Sequence, residues 1–217
     1  MKTTISQRKS SQAFTLIEMI GVLAVIAILA SMLIPKIFEA INSARINNTV
    51  QSYNAVKTAV LDHYGKFGAI NYLGAPAAAP FGPLAAGSAP MLAYDRQVLL
   101  PEALIDKPFA ARVGTTWIVQ AVAGAGAVAV TGVNSAYDLD GSGAAANDAD
   151  PSAFVVQALI TGVAIADAIE ISDRLDGAGT VAAPLSFPAG GADLAGRVKY
   201  AAPVNGLTDV YIYICHR

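Results

Sequence analysis

The sequence predicts an α+β protein: a long N-terminal helix, membrane-spanning at first and then amphipathic, packed on a small antiparallel sheet. Three observations carry this. An apolar run covers residues 14–34 with one interruption, Glu18. Beyond Pro35, apolar residues recur mostly every three or four positions as far as Tyr64. Between 115 and 215 the apolar segments become short and are divided by Gly, Asp and Asn, which is the patterning of strands and turns.

The N-terminal run comes first. Residues 1–13 contain Lys2, Arg8 and Lys9 and no acid. The basic start could belong to a secretory signal, but the 21 residues of 14–34 have transmembrane length and exceed a signal core. The alanines Ala24, Ala27 and Ala30 recur every third residue, so no Ala-x-Ala exit follows the run. Glu18 is the anomaly, because a carboxylate inside a membrane segment is expensive and marks a function by default.

These residues carry a family resemblance. A basic leader, a small residue, then Phe14-Thr15-Leu16-Ile17-Glu18 and an apolar stretch with Pro35 near its outer end resembles the class III signal of type IV pilins and type II secretion pseudopilins. The resemblance implies cleavage between Ala13 and Phe14 by a prepilin peptidase, and N-methylation of Phe14. It implies assembly with copies of itself or related subunits, through an inner-membrane assembly machinery. It also implies a single-pass protein with a cytoplasmic N-terminus and an extracytoplasmic domain, which later joins a filament. Ala13 stands where the family usually has Gly. Glu18 would neutralise the new Phe14 amine of a neighbouring subunit, a buried pair costing less than two isolated charges. The chain then divides into a leader (1–13), a membrane and assembly helix (14–35), its amphipathic continuation (36–64) and an extracytoplasmic domain (65–217).

Proline removes a backbone bond and clashes with the preceding turn, so Pro35 predicts a kink or local melting over 31–35. Past it, Ile37, Phe38, Ile41, Ile46, Val50, Tyr53, Val60, Leu61 and Tyr64 form an apolar stripe between polar residues, and Gly65 and Gly68 offer a stop. Residues 65–95 are rich in Gly, Ala and Pro and read as a surface loop, followed by a short helix over 97–104. Strands are expected at 115–122 and 127–133, joined as a hairpin through Gly124 and Gly126, and again at 154–160. A helix is expected over 163–175. The last two strands, 197–203 and 210–215, flank Asn205-Gly206, a turn signal within a loop longer than two residues.

The other chemical candidate is an acidic segment with Asp138, Asp140, Ser142, Asp148 and Asp150. Alternating oxygen side chains with Gly143 at the sixth position resemble the start of a calcium loop, but Ala149 occupies the twelfth, where such loops carry Glu. A solvated acidic turn is the plainer reading. The pseudopilin resemblance adds a precedent for Ca2+ in the globular domain.

Composition excludes several classes. Without Lys2, Arg8 and Lys9, 11 of the 14 basic residues face 16 acidic ones, a net of −5, and no basic patch points to nucleic acid. The lone Cys215 permits no internal disulfide. Cys215 and His216 would point to opposite faces of a strand, and no nucleophile motif surrounds any Ser, so an enzyme is not expected. The reading is a structural filament subunit, with a non-polymerising, membrane-anchored binding module as the alternative.

Overall fold

The computed structural model describes residues 15–68, 91–123, 137–139, 154–177, 193 and 196–216. The chain falls into two compact units, Met1–Ser43 and Ala44–Arg217, and one helix, α1 (Leu16–Phe67, 52 residues), contributes to both.

In the first unit α1 is exposed on all sides. Its most apolar 18-residue window has a mean hydropathy of 2.6 and none of it is buried. Leu16, Ile17, Ile28 and Met32 all project outward. A helix apolar all round, with no protein covering it, has the length and composition to cross a bilayer. Helical geometry runs unbroken through Pro35, so the expected melting of the preceding turn does not occur. One turn earlier, the Ser31 hydroxyl donates to the Ile28 carbonyl at 2.8 Å.

In the second unit α1 becomes one-sided. Ile46, Thr49, Tyr53, Val56, Ala59, Val60 and His63 are buried, at spacings that keep them on one face. Gly65 stays helical, and Gly68 ends the helix. Its φ of +65° suits a residue without a Cβ, and its N–H donates to the Tyr64 carbonyl at 2.8 Å.

That face lies on a five-stranded antiparallel sheet comprising β1 (Met91–Leu92), β2 (Thr116–Ala123), β3 (Phe154–Ala164), β4 (Val198–Tyr200) and β5 (Leu207–His216). The spatial order is β1-β2-β3-β5-β4. Val119, Ala121, Val156, Ala158, Ile160, Val198, Val210 and Ile212 join the helix residues in one apolar core. Alternate residues therefore line the other face, among them Gln120, Gln157, Lys199 and Tyr213. This face is also largely closed: Gln120, Gln157 and Lys199 are buried, and Tyr137 packs on it with Val155, Leu139 and Tyr213.

Three predicted boundaries move. The helix expected over 163–175 is α2 (Ile165–Ser172), extended by a wide π-helical turn, Asp173–Gly177. Val163 and Ala164 belong to β3 because they pair with Thr208 and Leu207, and the ladder outweighs the local helical spacing. The helix expected over 97–104 is a single π-helical turn, Asp95–Leu99. Pro101 has no N–H with which to extend it. Asn205-Gly206 is a two-residue turn after all: both have positive φ, and Val204 and Leu207 exchange backbone bonds of 2.9 and 3.1 Å. The proposed strand 127–133 and its hairpin lie outside the described residues.

One glycine is demanded by close approach. Gly114 has φ +75°, and a Cβ there would stand 2.6 Å from the Thr161 carbonyl oxygen and 2.7 Å from an Ile160 methyl. Gly114→Ala is therefore expected to destabilise the globular unit by roughly 1–3 kcal/mol, measured by chemical denaturation of the full chain in detergent.

Candidate functional site

The helix begins with a reciprocal set of hydrogen bonds. Thr15 is the last residue before α1, and its hydroxyl accepts from the Glu18 N–H at 3.3 Å. The Glu18 carboxylate accepts in return from the Thr15 N–H at 2.7 Å and from its hydroxyl at 2.8 Å. This is a capping box, in which two otherwise orphaned N–H groups at a helix start are satisfied by side chains. The Thr-x-x-Glu spacing of Thr15 and Glu18 is its sequence signature, a local signal for the role of Thr15 that the charge of Glu18 alone does not carry. The box gives the carboxylate two donors within its own turn. That lowers the cost of carrying it into apolar surroundings without fixing it there.

The remaining predicted site residues are dispersed. Ala13 and Phe14 lie outside the described residues, and Pro35 lies within α1. Of the acidic segment, Asp138 is described: it is buried, and its backbone carbonyl accepts from the Gly196 N–H at 2.6 Å. Asp140, Ser142, Asp148 and Asp150 lie outside the described residues. Among the described residues no three His, Cys, Asp or Glu side chains gather as a metal site.

Beside α1, segment 93–112 is held by polar contacts that the sequence did not announce. His63 Nδ1 and Glu102 Oε2 are 2.6 Å apart, with the imidazole fully buried against Phe67 and Tyr94. Thr49 and Ser52 on the helix accept from the backbone N–H groups of Arg112 and Ala110 at 2.9 and 3.0 Å. The Asp95 carboxylate accepts from the Phe109 N–H at 2.9 Å, and burial holds its pKa above the usual carboxylate value. Between this segment and the helix opens a cleft of ≈ 690 Å³. Ala55, Val56, Leu104, Ile105 and Pro108 supply its apolar lining, and Asp106, Lys107 and Arg112 its charges.

On the sheet's other face, Lys199 is fully buried with its Nζ 4.1 Å from the centre of the Tyr137 ring. Tyr137 donates to Gln157 Oε1 at 2.5 Å and meets the Tyr213 ring edge-on at 5.3 Å. Desolvation drives the Lys199 amine down from 10.5 to about 7. At the end of the same sheet the Cys215 thiol is buried and pushed up to about 12 by desolvation, while His216 Nδ1 bonds to the Tyr213 hydroxyl. The thiol is thus held in its unreactive, protonated form.

In comparison with known families, residues 8–34 match the prokaryotic N-terminal methylation motif. No curated protein and no solved structure matches the chain. The chain thus carries a prepilin-type motif at the head of a membrane-length helix, above a pilin-like α+β fold.

Two outcomes are expected. Thr15→Val removes the hydroxyl of the capping box, so amide exchange in the first turn of α1 should quicken about five- to tenfold in micelles, read by mass spectrometry. For Lys199, the unfolded chain binds a proton up to about pH 10.5 and the folded chain only to about pH 7. Its contribution to stability therefore rises with pH between those values. Lys199→Met should abolish that rise and stabilise the fold near pH 6 by about 1–4 kcal/mol, measured by denaturation across pH.

Proposed function

We propose that the chain is the structural subunit of an extracytoplasmic filament of the type IV pilus or type II secretion pseudopilus kind. On this reading a prepilin peptidase cuts between Ala13 and Phe14 and the new N-terminus is methylated. The subunit waits in the inner membrane with its domain outside, and an assembly machinery then draws it into a filament. The observation that carries the reading is the conjunction of the methylation motif over residues 8–34 with a single helix that is exposed and apolar in the first unit and one-sided in the second.

Glu18 is the assembly residue. Its two Thr15 contacts are local and exchangeable, and a methylated amine from a neighbouring Phe14 offers a full positive charge in their place. Pairing two charges as they leave lipid costs less than burying either alone. The helix then exchanges lipid contacts for contacts with its copies.

The cleft beside α1 supports a second reading, a membrane-anchored binding module, since ≈ 690 Å³ falls within the range of small-molecule pockets. The two readings separate at the N-terminus. Mass spectrometry of the mature protein should find a chain beginning with methylated Phe14; a chain retaining Met1 would overturn the processing step. Glu18→Ala should cut the assembled fraction by about tenfold or more, read on sheared filaments, whereas a binding module would tolerate it.

A further inference from the structure

Two surfaces on this chain are incomplete in complementary ways. The first is the turn just beyond Pro35. Phe38 is 68% exposed, a large aromatic on a helix with nothing packed over it. Beside it Glu39 pairs with Lys36, and the two side chains are 68% and 74% exposed. Such a pair contributes little and opens at small cost. In the membrane-bound subunit lipid can cover an apolar ring at this position, four residues beyond the apolar run; once the helix leaves lipid, that cover is gone.

The second surface is the cleft between α1 and segment 104–112. Val56, Leu104, Ile105 and Pro108 give it an apolar part, and Asn48 and Ser52 add polar lining from the helix. Lys107, Arg112 and one acid, Asp106, line it as well, a net positive set, and neither cation forms an ion pair among the described residues. The segment is anchored to the helix by its backbone, through Thr49 and Ser52, so the cleft is preformed. A volume of ≈ 690 Å³ accommodates an aromatic side chain together with its neighbours.

Resting on the filament reading, we propose that this cleft receives the Phe38–Glu39 turn of a second copy of the chain. Phe38 packs on the apolar part of the lining, and Glu39 exchanges Lys36 for Arg112 and Lys107, whose two charges outweigh that of Asp106. A buried aromatic anchor with a charge pair at its rim is the usual anatomy of an interface hot spot. The charge sets the register and the ring supplies most of the affinity. The two surfaces are different parts of one molecule, so the contact is heterologous. Each copy offers a turn to the next and a cleft to the one before, and such a contact propagates as an open helical filament or closes into a ring.

The test is a charge exchange in the full-length chain, assembled in cells. Glu39→Lys and Arg112→Glu should each reduce the assembled fraction about tenfold, and the double variant should recover it to within about threefold of wild type. A chain carrying Glu39→Cys and Arg112→Cys should form a disulfide-linked ladder on a non-reducing gel. If wild type assembles while the single reversals assemble equally well, the cleft contact is wrong and the filament reading stands. The contact is equally wrong if the Arg112→Glu defect is not rescued by Glu39→Lys, as expected were the cleft a site for a small anion. If wild type forms no assembly at all, both fall together.

Discussion

The globular unit depends on one contact surface, the face of α1 that carries Ile46, Tyr53, Val56 and Val60. These side chains share one apolar core with the inner face of the sheet, with segment 94–113 and with Ala168 and Ile171 of α2. A single five-stranded antiparallel sheet cannot bury its inner face alone. The helix is its cover, and the Tyr53 hydroxyl ties it to the Tyr213 carbonyl of β5 at 2.5 Å. The same helix continues upstream into a segment with no protein cover. One secondary-structure element therefore serves two solvents, and the change of solvent is written in which sides of it are apolar.

Segment 93–113 adds Tyr94, Val98, Leu99, Phe109, Ala111 and Val113 to the apolar core, and dispersed polar contacts reinforce it. The single cysteine is buried and free, so no covalent staple closes the domain. Thr49, Ser52 and His63 on the helix instead hold segment 93–112 through its backbone and through Glu102. The far face of the sheet is closed by Tyr137 and its neighbours over Gln157 and Lys199. Burying an amine there costs stability, and the cost appears as a lysine that titrates near neutrality.

At the other end of α1 the balance is different. Glu18 is not a bare charge in a membrane helix, because Thr15 supplies it with two donors. A carboxylate satisfied by a local, exchangeable partner suits a subunit that must rest in lipid and later leave it. In the filament reading, the capping box is the resting state and the neighbour's amine the assembled one.

Much of this was legible in the sequence, for a definite reason. Hydrophobic periodicity reports which sides of an element meet water, so the membrane-length run, a one-sided helix beyond it and strands at 115–122, 154–160 and 210–215 could be read, although Leu61 and Tyr64 of the expected stripe are exposed while Thr49 and His63 are buried. The methylation motif was equally local. Boundaries set by pairing were not: Val163 and Ala164 look helical in isolation and are strand because Thr208 and Leu207 lie opposite. The cleft, the His63–Glu102 bond and the burial of Lys199 were invisible for the same cause, since each joins residues far apart in the chain. Thr15 is the exception, a local signal that was present and overlooked. What the sequence determined by itself was the solvent each segment prefers, because that is a property of consecutive side chains. Which polar groups meet, and which surface is left unfilled, was decided only by tertiary structure, because those are properties of distance across the fold.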